Sequence, residues 1–143
     1  MTEPRRDFSF IVRDNEAAVA RALQEGNFVQ AYLLVHAVLE SLLRVFLQDH
    51  REKMTFEGLI ETYRRFLSEH DYPQPTFVKE LTEFNRRRNR IVHELWRRGF
   101  SFTNSQAEPA AKAAVKMYGL FIEWIETFDS EITDLGFEYD DGA

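Results

Sequence analysis

Cysteine is absent from all 143 residues, which removes disulfides, thiolate metal sites and cysteine nucleophiles together. Glycine and proline are scarce, 6 and 4, and with them the turn dipeptides that many short strands and hairpins require. No uninterrupted apolar run has the length of a membrane span. The longest apolar region, Val29 to Leu47, is broken by Gln30, His36, Glu40, Ser41 and Arg44, which predicts that a bilayer rejects it. The opening Met1 to Asp7 is followed by only four or five mostly apolar residues, too few for a signal-peptide core. An excess of positive charge is also missing. A net charge of −6 and a pI near 5.3 argue against a chain that coats nucleic acid over its whole surface. These absences lead to the expectation of a cytoplasmic protein with no membrane partner.

What is present has the balance of a globular domain, 44% hydrophobic and 29% charged residues, at a length that suits one core. We expect a single all-α domain whose core runs from about residue 14 to 135, with 1–13 and 136–143 outside it. Period and punctuation draw five helices joined as an up-and-down bundle. The first runs from about Asp14 to Glu25 and stops at Gly26. The second, Phe28 to Asp49, carries Ala31, Leu34, Val38, Leu42 and Val45 on one side, with Tyr32, Val35, Leu39 and Phe46 close by. A stripe that wide predicts a central helix. The third covers Phe56 to Ser68. Pro73 and Pro75 then force a break, and Thr76 is placed to cap a fourth helix from Phe77 to Arg98, ended by Gly99. The last opens on Ser105 and Glu108, a match to the capping box, and continues through Phe128 to about Leu135.

The fourth helix departs from ordinary packing. Phe77, Leu81, Phe84, Ile91 and Leu95 recur at spacings of three, four and seven, and the residue that should fill the gap of seven is Arg88. On a helical projection centred on Arg88, the apolar residues lie between roughly −60° and +80°, Asn89 near about 100° and His93 near about 140°. Arg86, Arg90 and Arg97 follow between roughly 160° and 200°. Six arginines fall between Arg86 and Arg98, far more than an even spread of the chain's basic residues would put there. A structural reading is available for each feature: a seam arginine can snorkel its head to an edge, and a flank histidine is commonly a surface or capping group.

The string Arg88-Asn89-Arg90-Ile91-Val92-His93 resembles the motif of the HEPN superfamily, an arginine and a polar residue followed, after three residues, by histidine. Gly26-Asn27-Phe28, Ala31, His36-Ala37, Leu39-Glu40 and Leu43 are similar to the long second helix of these domains, and Phe84 matches an apolar position one turn before the motif. The resemblance covers about residues 14 to 130. It implies a metal-independent endoribonuclease, a toxin or defence effector without cofactor, that acts on RNA as a homodimer with the two motif helices facing one cleft. Arg88, Asn89 and His93 would be catalytic, and Arg86, Arg90, Arg97 and Arg98 would bind RNA. The chemistry suits such a site. Attack by a 2′-hydroxyl needs a base for its proton and an acid for the leaving oxygen, and an imidazole, with an ordinary pKa near 6.5, serves as either. One chain supplies one suitable histidine and a twofold axis supplies two, with Arg88 of each copy stabilising charge on the phosphate. Toxins of this type that a nucleotidyltransferase neutralises carry a modified tyrosine two residues after the histidine. Leu95 stands there, so a directly bound protein antitoxin, or none, is the expected form of control. The acidic net charge motivates the alternative of a non-catalytic HEPN-like module that partners another protein or a nucleotide.

Other residues invite chemistry less strongly. His36 and Glu40 form an i, i+4 pair in the most apolar helix, which reads better as a buried pair, or as support for the Arg88 head, than as a metal or acid/base site. His50 and His70 suit helix-end capping, and no metal-ligand spacing is present. Trp96 and Trp124 fall on or beside apolar stripes, so both are expected in the core. Phe100 and Phe102 either close the bundle or offer faces to bases beside the arginines. Neither a Gly-rich phosphate loop nor a Ser-His-Asp order can be assembled.

Overall fold

Apolar residues at helical spacing become six helices among the residues described by a computed structural model, which are 8–72, 74–130 and 132. These are α1 (Phe8–Gln24), α2 (Phe28–Leu47), α3 (Phe56–Glu69), α4 (Val78–Arg98), α5 (Phe100–Gln106) and α6 (Glu108–Glu126). None of the described residues lies in a strand. The all-α expectation holds, with one helix more than the five read from the sequence. The acidic tail residues Glu138, Asp140 and Asp141, the opening Met1 to Asp7, Pro73 and the expected helix end at Leu135 lie outside the described residues.

Helix α2 is the axis of the bundle and packs against each of the other five. Tyr32, Leu39, Leu42 and Leu43 are completely or almost completely buried on it, each removal of such a side chain from water being worth about 1.5–3 kcal/mol for the aliphatic members. By length and hydropathy α2 is apolar enough to cross a membrane, yet 56% of its most apolar window is buried inside the protein. Its apolar surface is used on neighbouring helices.

The corners have specific causes. Gly26, at φ +75°, ends α1 in a left-handed conformation that glycine adopts without a Cβ clash. The start of α2 has no side-chain cap of its own. Asn104 from α5 supplies one, its Oδ1 accepting from the Val29 amide at 3.0 Å and its Nδ2 donating to the Gly26 carbonyl at 2.8 Å. Arg44 spans the α2–α3 loop, donating to the carbonyls of Arg51 and Met54 at 2.7 Å each. Thr55 caps α3 through the Gly58 amide, and His70 closes that helix with Nδ1 2.9 Å from the Phe66 carbonyl, as expected of a capping histidine.

Several local expectations are corrected. Helix α1 begins at Phe8, not Asp14, because Phe8 and Val12 are buried and extend its apolar face by more than a turn. Thr76 does not cap α4. The residue before the helix is Phe77, in a left-handed conformation with φ +68°, while the Thr76 carbonyl accepts from the Tyr63 hydroxyl at 2.7 Å. Ser105 does not open the last helix either. Its hydroxyl donates to the Phe102 carbonyl within α5, and α6 starts at Glu108 with Pro109 in its first turn, where a missing amide proton costs nothing. Helix α6 stops at Glu126, so Phe128 packs from the turn beyond it, against Phe46, Phe66, Tyr72 and Trp124.

Candidate functional site

Helix α4 is held to α2 by a compact polar-aromatic clamp. The Phe84 ring stacks on Tyr32 with centroids 4.9 Å apart and on His36 at 5.4 Å, while Phe56 of α3 meets His36 at 4.4 Å. The Tyr32 hydroxyl donates to the Phe84 carbonyl at 2.6 Å, the carbonyl that in an α-helix also closes the turn to residue 88. His36 Nε2 lies 3.1 Å from Asn85 Oδ1. The expected His36–Glu40 pair is therefore replaced by an interhelical contact, and Glu40 pairs instead with Arg44 at 3.6 Å. Asn85 was not singled out by sequence reasoning, because its partner is 49 positions away.

Arg88 follows one turn later, in the seam between Phe84 and Ile91, both buried. Its Nε is buried without a hydrogen-bond partner among the described residues, and its Nη1 donates to Asn89 Oδ1 at 3.1 Å. No carboxylate pairs with it among the described residues, although five other ion pairs are present. Its charge reaches His36. Burial pushes the His36 imidazole below its ordinary value, the Arg88 cation adds to that, and Asn85 and Glu40 act in the opposite direction. Burial and the Arg88 cation thus both favour the uncharged form of the His36 imidazole.

Asn89 and His93 are exposed on the flank beyond Arg88. The His93 ring nitrogens make no hydrogen bond among the described residues, and the ring stands edge-on to Trp96, centroids 5.0 Å apart and planes at 88°. The structure thus joins Arg88 to Asn89 directly and places His93 one turn further along the same flank. Trp96 is a correction. Expected in the core, it is 73% exposed, because no neighbouring helix among the described residues covers that edge of the apolar arc. Trp124 does pack, its Nε1 donating to the Tyr63 hydroxyl at 2.8 Å.

Of the arginines assigned to RNA, Arg86, Arg90 and Arg97 are exposed and without an ion pair among the described residues. Arg98 is committed on two sides, 3.1 Å from Glu94 and 5.0 Å above the Phe102 ring. Arg87, which is not assigned to RNA, borders a small cleft of about 130 Å³ with Tyr32, Phe84 and Ala114. Phe100 and Phe102 are 52% and 42% exposed, so they do not close the bundle. A larger groove of about 640 Å³, between Gln74–Glu80 and α6, holds none of the candidate residues. Among the described residues no three His, Asp or Glu side chains gather as metal ligands. Neither the family models, nor the curated proteins, nor the solved structures contain a match to this chain.

Proposed function

We propose that the chain is a metal-independent endoribonuclease of the HEPN type, a toxin or defence effector that cleaves RNA by 2′-hydroxyl attack in a cleft between two copies. The observation that carries this reading is Arg88: a cation in a seam position, with a buried Nε lacking an acceptor and no pairing acid among the described residues. A buried donor without a partner costs about 1–3 kcal/mol, and Leu would fill the same gap without that cost. An oxyanion of a bound phosphate would satisfy the guanidinium and recover it.

Asn89 orients the Arg88 head through their hydrogen bond, and the exposed His93 is accessible for proton transfer. Across a twofold axis, one His93 takes the 2′-hydroxyl proton as the oxygen attacks phosphorus, and the other protonates the departing 5′-oxygen. Arg88 neutralises charge on the non-bridging oxygens. The products are a 2′,3′-cyclic phosphate and a 5′-hydroxyl. Arg86, Arg90 and Arg97 hold flanking phosphates, with Arg98 contributing less because Glu94 occupies it. Leu95 stands where the modified tyrosine would be, in keeping with control by a directly bound protein, or with no dedicated antitoxin, instead of tyrosine modification.

The alternative, a non-catalytic module for another protein or a nucleotide, draws support from the exposed Trp96 and Val92 beside the site. Product analysis separates the two. RNA incubated with the protein in EDTA should yield cyclic-phosphate and 5′-hydroxyl ends, and light scattering should give a dimer. Products with 5′-phosphates, activity that needs added magnesium, or a monomer at high micromolar concentration would remove the proposed mechanism. Intact RNA would favour the module.

A further inference from the structure

We propose that Trp96 is a base-stacking platform, so that this site takes single-stranded RNA with an unpaired base laid on the indole beside His93. The inference rests on the ribonuclease reading of the same site and names the form of substrate it accepts.

Trp96 is more exposed than any other large hydrophobic residue described, at 73%. A tryptophan in water forgoes a large hydrophobic gain, and with Val92, Phe100 and Phe102 also exposed at this end of α4 the group points to an occupant where Trp96 alone would not. The ring is positioned, since it stands edge-to-face with His93 at 5.0 Å. That contact uses at most one indole face, and i+3 spacing puts the ring one helical turn beyond His93. The surrounding charge selects the partner. Arg90 and Arg97 are exposed on the same stretch of α4, and Glu94, the one acid between Asn85 and Arg98, is bound to Arg98 at 3.1 Å. Flat apolar faces strung on a polyanion match this surface. Direct packing of Trp96 on a second copy would bring the exposed arginines of both α4 helices to one interface with no anion between them, because a twofold interface presents the same patch twice. In a cleft shared by two copies, strand phosphates would separate those arginines. Duplex RNA does not fit, because its base faces are stacked inside the helix. Phe102 is the less available ring, its face being covered by Arg98.

The test is intrinsic tryptophan fluorescence of the whole chain titrated with a 2′-O-methyl oligoadenylate, which lacks the nucleophile and cannot be cut. The strand is used alone and annealed to its complement, with Trp96→Phe and Trp96→Ala alongside. The single strand should quench the wild type, and the duplex should not. Quenching should disappear in both Trp96 variants, and Trp96→Ala should bind on the order of tenfold more weakly or worse, with Trp96→Phe in between. Binding without quenching, equal affinity of Trp96→Ala, dissociation of the protein into monomers by that substitution, or no binding of either form would overturn the proposal. The cleavage reading is judged separately: quenching with native RNA left intact would sustain the platform and sink the ribonuclease, and cleavage without quenching would do the reverse.

Discussion

From Val78 to Phe84, helix α4 buries Val78, Leu81 and Phe84 against α2 and α3; from Asn85 to Arg98 it buries Ile91 alone and turns Asn89, His93, Trp96 and most of its arginines to solvent. The helix is continuous through both stretches, so the change is one of side chains and neighbours and not of backbone. Tyr32 and His36 grip the first stretch at Phe84 and Asn85, and the next inward position is Arg88. A helix anchored at one end can carry side chains at the other whose positions are fixed but whose surfaces are free. That is the arrangement proton transfer and phosphate binding require.

The largest effect expected from breaking this contrast is on stability, in the first stretch. Phe84→Ala removes a ring stacked on Tyr32 and His36 and tilted against Phe56 and should cost about 3–5 kcal/mol, read as a lower urea midpoint at unchanged slope. A loss comparable to that of an exposed-residue variant would show that the clamp does not hold the helix. Asn104→Ala should come next, at about 1–2 kcal/mol, because it uncaps α2 and frees α5 from the α1–α2 corner. Hydrogen exchange at the Val29 amide should rise with it.

A smaller effect follows from His36. Its folded-state pKa lies below the ordinary value, so the unfolded chain takes up the proton first as pH falls. Its stability contribution should be full above about pH 6.5, the ordinary imidazole value, and be lost as pH falls from there through the folded pKa. Urea titrations should show this acid limb, and His36→Gln should flatten it. Arg88→Leu should change stability least, leaving it equal or slightly raised because an unpartnered buried donor is removed, while RNA cleavage is lost. A melting temperature several degrees lower, with cleavage retained, would make the arginine structural.

The sequence made these stretches legible to different degrees, for physical reasons. The bounds of α3 and α4 and the start of α2 agree with the structure to within a residue, since long amphipathic periods report a buried face directly. Helix α5 leaves no legible mark in the sequence, because seven residues carry too few turns to show a period. The caps at Thr76 and Ser105 failed because a local pattern offers a hydrogen bond that tertiary geometry need not take. Asn104 serves a helix 75 positions away, and no local signal marks that. In the candidate site, the seam position of Arg88 and the flank positions of Asn89 and His93 follow from angle alone. Trp96 does not. At roughly 80° from Arg88 it falls on the rim of the apolar arc, where only the reach of neighbouring helices decides between core and solvent.

The claim that the second stretch of α4 serves RNA chemistry and not the fold is tested most directly by the rate of RNA cleavage in EDTA by wild type and His93→Ala, with both proteins melted in parallel. The account predicts cleavage by the wild type, none by His93→Ala, and the same melting temperature for both. Equal cleavage by the two proteins, or loss of cleavage accompanied by a matching fall in melting temperature, would contradict it.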